Sequence, residues 1–441
     1  MTNDYDVIVV GAGFAGVTAA RECELRGFRT LVLEGRDRIG GRTHTTTLEN
    51  GEVAELGGTY VHWSQPHLWS EITRYGLEDD LIDAFQMPDA ALVPQDGGIG
   101  WIDGETLMAR DHATTTKFFE NSREVFPYPF DVMAQRDKLK ALDNMSVQDR
   151  IDEIGLSPDE SGYLAALLGM ESQRPVAESS YLFWLRVWAN AGHDATNANE
   201  ALFGKRLRNG TKSILDAMVA DGGFELRLGT KVTSVVSSSD GVTVTTADGE
   251  QVSASAVVVA TPSGVWPYID FTPKLSDDRL RAVKSGLQTP RGSKVVAVLR
   301  GEPRNVMVSV GQPYPVGVLW TVSRRSDDEQ VVEVIDTAGM KDIHDHDEVR
   351  AGIKALLPHV EVVEVISEKY DLDDEFSRGS WPFFAKGTFT DFEPSEKLSL
   401  PEGRIAFACS EIAKGWCGFI DGAIEAGLRA ARNVRPFAEE K

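Results

Sequence analysis

The sequence predicts an α/β fold in which a Rossmann-like domain is interwoven with an α+β domain, a mixed sheet flanked by helices. Three observations predict this fold. An apolar strand, a glycine turn and a helix open the chain, strand patterns of the same kind return after residues 207 and 403, and two long stretches of different character separate them. With 441 residues, 42% of them hydrophobic, the chain has material for two or three domains.

The first element is the run Asp6–Gly16, which a second strand pattern ending in Glu34 follows. Gly11 permits a tight turn, Gly13 lets a pyrophosphate approach the backbone, and Gly16 lets helix and strand pack closely. The amino end of the helix favours an anion, because its N–H groups are free there. Glu34 stands at the chain distance expected of a carboxylate that binds a ribose. The run therefore predicts a dinucleotide site.

Two long segments, 76–204 and 286–394, form the predicted second domain. The first is rich in helical periodicity, and the second contains strand-like runs such as Ser293–Leu299. The dinucleotide domain then comprises residues 1–75, 205–285 and 395–441. The chain would pass twice between the two domains, and we expect the ligand at their junction.

Composition and charge exclude several classes of partner. The net charge of −23 argues against nucleic acid and against an anionic membrane surface, because phosphate groups bind to basic surfaces. With no run of 18 apolar residues and a first strand that begins by residue 6, we expect no membrane segment and a cytoplasmic protein. The spacings of Cys23, Cys409 and Cys417 match neither a disulfide framework nor a metal site. A homodimer is left open.

Further glycine-rich motifs follow the first one along almost the whole chain. They are Arg38–Arg42 (Arg-Ile-Gly-Gly-Arg), Glu55–Gly58, Val259–Pro262, a lysine after Gly292-Ser293, and Trp416–Ala423. In this order the motifs resemble those of the flavin-containing amine oxidases, which include monoamine, polyamine and L-amino-acid oxidases. The run Thr59–His67 is most similar to bacterial cyclohexylamine-type oxidases. The resemblance implies that the cofactor is FAD.

The resemblance also assigns the residues that would contact FAD. Paired glycines beside Arg42 are suited to the pyrophosphate, and Gly57, Gly58 and Thr59 can run flat beneath a ring system. The remaining cofactor contacts are Phe14, Ala15, Gly35, Arg36, Gly40, Gly41, Val232, Ser410, Glu411, Phe419 and Ile420. Ser380 stands where some monoamine oxidases carry a cysteine bound to the flavin. Because serine cannot form that thioether, we expect FAD to be held without a covalent bond.

The activity implied is the oxidation of an amine, in which a hydride moves from the carbon bearing the nitrogen to the flavin. The imine hydrolyses to a carbonyl compound and ammonia, and dioxygen is reduced to hydrogen peroxide. Lys294, on an apolar strand, is the expected lysine that reaches flavin N5 through a water and assists reoxidation; the alternative is an exposed lysine at a strand start. Trp381 and Phe419 are the expected aromatic walls of the substrate site; the alternative is ordinary core packing.

The substrate follows less directly from the residues. Tyr60, Trp184 and Trp381 are the expected substrate contacts, and they favour a small, largely apolar primary amine, including cyclic ones. An L-amino-acid oxidase would need an arginine such as Arg174 or Arg186 for the carboxylate. A polyamine oxidase would need carboxylates, and no acidic run is evident in 76–204. A flavin-dependent desaturase of a cyclic ketone and a non-catalytic FAD-binding protein are further alternatives.

Overall fold

The computed structural model describes residues 4–285, 287–335, 340–390 and 397–439. The strands in these residues are β1 (Tyr5–Val10), β2 (Thr30–Leu33), β3 (Thr45–Thr47), β4 (Val53–Glu55), β5 (Leu81–Asp83), β6 (Ala90–Gln95), β7 (Gly98–Asp103), β8 (Lys205–Leu207), β9 (Glu225–Arg227), β10 (Val232–Ser237), β11 (Val242–Thr246), β12 (Gln251–Val259), β13 (Asp270–Thr272), β14 (Arg291–Arg300), β15 (Val306–Ser309), β16 (Val318–Arg324), β17 (Glu329–Ile335), β18 (Glu361–Asp371) and β19 (Ile405–Phe407).

The same described residues form thirteen α-helices. They are α1 (Phe14–Glu24), α2 (Pro66–Arg74), α3 (Gly104–Phe118), α4 (Ser122–Val125), α5 (Arg136–Leu142), α6 (Val147–Glu153), α7 (Pro158–Ser172), α8 (Tyr181–Asn190), α9 (Ala195–Asn199), α10 (Lys212–Gly222), α11 (Asp277–Lys284), α12 (His346–Leu356) and α13 (Ile420–Ala438). Within the described ranges, none of the helices combines the length and the apolar character needed to cross a bilayer.

The first sheet confirms the predicted Rossmann-like domain. Its strand order is β13-β10-β11-β12-β1-β2-β9, with β19 also paired to β12. β1 is parallel to both of its neighbours, β2 and β12, and its residues Val7–Val10 are buried. A strand that is buried on both faces has a continuous run of apolar residues, and this is the pattern seen in the sequence of β1. The carboxyl ends of β1 and β2 therefore face the same edge of the sheet.

The second sheet is mixed, as predicted, and has the order β18-β14-β17-β16-β15-β6-β7. β14 pairs with β18 in antiparallel register, so the predicted strand-like runs are neighbours. β6 and β7 come from the segment expected to be mainly helical, and β6 joins the sheet parallel to β15. The predicted domain limits at 286 and at 394–395 lie outside the described residues, and the domain division stays a proposal.

Candidate active site

One cavity of about 400 Å³ is lined by residues of both sheets and by helices α7 and α8. Val10 and Leu33 line it from the first sheet, and Lys294 and Ile335 from the second. The sequence-predicted residues that line it are Gly11, Gly13, Phe14, Ala15, Glu34, Gly35, Arg36, Gly40, Gly41, Arg42, Gly57, Gly58, Thr59, Tyr60, Trp184, Val232, Lys294, Trp381, Ser410, Phe419 and Ile420. Gly16 and Glu411, which were also predicted, lie outside this lining.

The glycine loop between β1 and α1 combines two different requirements. Gly11 has a φ of +105°, and a Cβ on Gly16 would lie 1.9 Å from the carbonyl oxygen of Gly11, so both positions need glycine for the fold itself. A Cβ on Gly13 would meet nothing closer than the Gly40 oxygen at 3.7 Å. Gly13 is the N-cap of α1, where no side chain caps the helix. The first-turn N–H groups of α1 are therefore suited to an anionic group in the cavity.

Glu34 fixes the glycine loop to the end of β2. One carboxylate oxygen accepts the N–H of Ala12 at 2.7 Å, and the other accepts the N–H of Arg36 at 2.8 Å. Each oxygen has a second lone pair, so the carboxylate can still accept hydroxyl groups of a ribose. Thr230 and Val232 line the cavity nearby on the chain that leads into β10. This end of the cavity fits the adenosine half of FAD.

Arg42, which is partly exposed at the cavity, forms an ion pair with the fully buried Glu411. The Nη2 of Arg42 lies 3.0 Å from Oε2 of Glu411, and Nη1 donates to the backbone oxygen of Ser380 at 3.0 Å. Burial alone would lower the pKa of Arg42, but the Glu411 carboxylate outweighs it and raises that pKa. Burial likewise opposes ionisation of Glu411, and Arg42 nevertheless lowers its pKa. Arg42 is thus held as a cation at the cavity lining. Glu411 lies outside the lining and stabilises that positive charge.

Gly57 and Gly58 lie against Arg42 and Thr43 with no room for side chains. A Cβ on Gly57 would lie 2.3 Å from the oxygen of Arg42, and one on Gly58 would lie 3.2 Å from Cγ2 of Thr43. Both glycines also line the cavity, where the absence of side chains leaves room for a planar ring system. Together with the glycine loop and Arg42, this part of the lining fits the pyrophosphate and flavin portions of FAD.

Lys294 is a buried residue on β14 that lines the cavity. It is 4% exposed, its Nζ donates to Oγ1 of Thr59 at 2.7 Å, and it lies 3.0 Å from Oε1 of Glu333. The hydroxyl of Tyr60 donates to the other oxygen of Glu333 at 2.5 Å. The alternative of an exposed lysine at a strand start is therefore wrong. The network orients the ammonium group beside the segment Gly57–Thr59.

Aromatic and aliphatic side chains form much of the remaining cavity lining. The indole Nε1 of Trp381 donates to the backbone oxygen of Glu171 at 2.7 Å, and Phe419 packs against Trp416 with ring centroids 5.0 Å apart. Trp184, on α8, packs against Phe383 at 5.0 Å. The further apolar lining residues are Phe183, Val187, Leu202, Ile335 and Phe383. An apolar ligand of small size fits this lining.

Two carboxylates of this region were missed by the sequence reasoning. Glu333 interrupts the apolar run of β17, which is the same signal that singled out Lys294. Glu171 lines the cavity from the last turn of α7, and burial raises its pKa to about 7. Nothing in the sequence marks Glu171, because it simply ends an apolar helix. Neither Arg174 nor Arg186 lines the cavity; Arg186 donates to the backbone oxygens of 413 and 414.

Comparisons with known proteins agree with this geometry. The family model of flavin containing amine oxidoreductases matches residues 14–435. Nicotine dehydrogenase of Pseudomonas putida (strain DSM 28022 / S16) is 34% identical over 440 residues, with 98% of this chain and 88% of that protein covered. (S)-6-hydroxynicotine oxidase of Paenarthrobacter nicotinovorans is 30% identical over 425 residues, with 96% and 97% covered.

A solved structure shows the same fold. Cyclohexylamine oxidase from Brevibacterium oxydans IH-35A matches with a TM-score of 0.77 and 20% identity, covering 99% of both chains. The family model and the relatives confirm the resemblance inferred from the motifs, and with it FAD as the cofactor. The chain belongs to the family of flavin-containing amine oxidoreductases and is an FAD-dependent enzyme of amine oxidation.

Proposed function

We propose that the protein oxidises a small, largely apolar primary amine, with cyclic amines as the first candidates, and uses dioxygen as the electron acceptor. The net reaction converts the amine, water and dioxygen into a carbonyl compound, ammonia and hydrogen peroxide. The observation that supports it is the continuity of one cavity from the glycine loop at Gly13 to the apolar lining around Trp184 and Trp381. FAD with a small apolar amine beside it would need a continuous lining of this kind.

FAD, when bound, supplies the acceptor for the hydride that leaves the carbon bearing the nitrogen. Trp381 and Phe419 both line the cavity, where their rings would exclude water and orient the amine. Lys294 is fixed by Thr59 and Glu333, and its ammonium group is suited to stabilise negative charge that develops on dioxygen. Glu333 and Tyr60 keep that ammonium group in place.

The lining disfavours an amino-acid substrate, and the products distinguish a desaturase. An amino-acid substrate would need a cation for its carboxylate, yet Arg174 and Arg186 lie elsewhere, and Glu171 would repel it. A desaturase acting on a carbon–carbon bond would release no ammonia. The relatives include both a dehydrogenase and an oxidase, so the electron acceptor needs its own measurement.

The experiment is anaerobic bleaching of the flavin band of the purified holoprotein by a panel of cyclic, aryl and linear amines, amino acids and cyclic ketones. We expect bleaching by small apolar amines, followed in air by equal amounts of ammonia and hydrogen peroxide. Reoxidation by dioxygen is compared with reoxidation by an artificial dye. If no amine bleaches the flavin, the proposed substrate class is wrong; if only the dye reoxidises it, the acceptor is wrong.

A further inference from the structure

We propose that Glu171 determines substrate specificity by binding a cationic nitrogen of the substrate other than the nitrogen whose carbon is oxidised. The preferred substrates would then be amines with a second basic nitrogen, separated from the first by an apolar spacer. This inference rests on the proposed function and narrows its substrate class.

The carboxylate of Glu171 faces the cavity without a partner. Glu171 is half-buried on the last turn of α7 and lines the cavity. Among the residues that the structure describes, no donor lies within hydrogen-bond distance of its carboxylate, and no cation lies within ion-pair distance. Unpaired carboxylates inside proteins are costly, so most are paired or bind a ligand. The missing partner here is best supplied by the ligand.

The nearby cation is already engaged. Lys294 is close enough to act electrostatically on Glu171, but its Nζ forms an ion pair with Glu333 and donates to Thr59. When Glu171 is ionised, Glu171, Glu333 and Lys294 together carry a formal charge of −1. A monocationic group on the ligand neutralises that charge, whereas a ligand carboxylate increases it.

The reacting nitrogen is a poor match for this carboxylate. Hydride leaves the adjacent carbon with help from the nitrogen lone pair, so the reacting amine must be neutral. A carboxylate that held it as an ammonium ion would stabilise the unreactive form. A second nitrogen stays protonated throughout the reaction, so its contact with Glu171 lowers KM without opposing the chemistry.

The position of Glu171 is tied to the aromatic lining. The indole Nε1 of Trp381 donates to the backbone oxygen of Glu171 at 2.7 Å. The hydrogen bond fixes the end of α7 relative to Trp381, so a cation bound at Glu171 has a defined separation from the amine beside that ring. We therefore expect the spacer length between the two nitrogens to matter.

The test compares Glu171→Gln with the parent holoenzyme on matched pairs, such as cyclohexylamine with trans-cyclohexane-1,4-diamine and butylamine with butane-1,4-diamine. We expect the diamine-to-monoamine ratio of kcat/KM to fall about 10- to 100-fold, mainly through KM, because hydrogen bonds to charged groups contribute that much. The monoamine constants should stay close to the parent. Glu178→Gln, which removes an exposed carboxylate seven residues further on, is the matched control and should leave the ratio unchanged.

A binding measurement gives a second readout that needs no turnover. Choline and its neutral isostere 3,3-dimethylbutan-1-ol are titrated by calorimetry into both enzymes, and the preference for the cation should be lost in Glu171→Gln. If Glu171→Gln does not retain FAD, Glu171→Asp replaces it, and a smaller loss of the same sign is expected. An unchanged ratio overturns the role of Glu171 while amines still bleach the flavin; failure of every amine to bleach it instead overturns the proposed function.

Discussion

Replacing Glu411 with glutamine tests the buried ion pair that holds Arg42 at the cavity. Glu411 is fully buried, and its Oε2 lies 3.0 Å from Nη2 of Arg42. At an effective dielectric constant of about 20, two unit charges at that distance attract by about 5.5 kcal/mol. Arg42 keeps its hydrogen bond to Ser380, but it loses its carboxylate partner within the protein. Breaking such a pair by removing one partner costs about 3 to 5 kcal/mol.

The loss converts into a shift of the melting temperature. A chain of 441 residues unfolds with an entropy of about 0.9 kcal/mol/K, on the usual value per residue. We therefore expect Glu411→Gln to lower Tm by about 3 to 5 °C in scanning calorimetry at neutral pH with saturating FAD. The control is Asp216→Asn, which breaks the exposed pair with Lys212 at 2.6 Å and should lower Tm by about 1 °C or less.

The contribution of Glu411 to stability depends on pH with a defined sign. Because the pKa of Glu411 is lowered in the folded protein, its contribution is complete above the ordinary glutamate value of about 4.3 and is lost as the pH falls through the lower folded value. The Tm difference between parent and variant should therefore shrink in acid. Equal melting of the two proteins at neutral pH would refute the reasoning.

Three further predictions concern the cofactor. Lys294→Met should slow reoxidation of the reduced flavin by dioxygen at least about 10-fold and leave anaerobic reduction by amine nearly unchanged, as stopped-flow absorbance will measure. Gly13→Ala should leave the fold intact and weaken FAD binding, whereas Gly16→Ala should prevent folding, because its Cβ would meet the Gly11 oxygen at 1.9 Å; circular dichroism and flavin fluorescence separate the two effects. Acid precipitation should release all FAD into the supernatant, since Ser380 offers no thiol; a yellow pellet would contradict this.

Local motifs made the cofactor end of the cavity predictable. The loop at Gly11–Gly16 and the carboxylate of Glu34 are recognised by their residue types and their spacing along the chain, both of which can be read from the sequence. Lys294 was visible because a charge on an apolar strand is unusual, and the structure buries it as that signal suggested. The glycine loop and Glu34 could be predicted from nearby residues in the sequence. Lys294 could be predicted because the composition of its strand indicates burial.

The features that escaped depend on tertiary packing. Glu171 ends an apolar helix, and only the docking of α7 against the cavity makes its carboxylate significant. The pair β6–β7 was hidden in a helical segment, because a strand of six residues carries little periodicity of its own. Arg186 was considered for substrate binding, yet it faces the backbone of the loop that precedes Phe419. No local rule distinguishes these outcomes.

Strands that lie far apart in the sequence meet in the first sheet, and this has a consequence for the assembly of the cofactor cavity. β1 and β19 both pair with β12, and α13 lies so close to α1 that a Cβ on Gly427 would fall 2.4 Å from the oxygen of Ala15. Phe419 and Ile420 complete the cavity wall. A fragment that stops before β19 lacks these parts, so one wall of the cofactor cavity is missing from it.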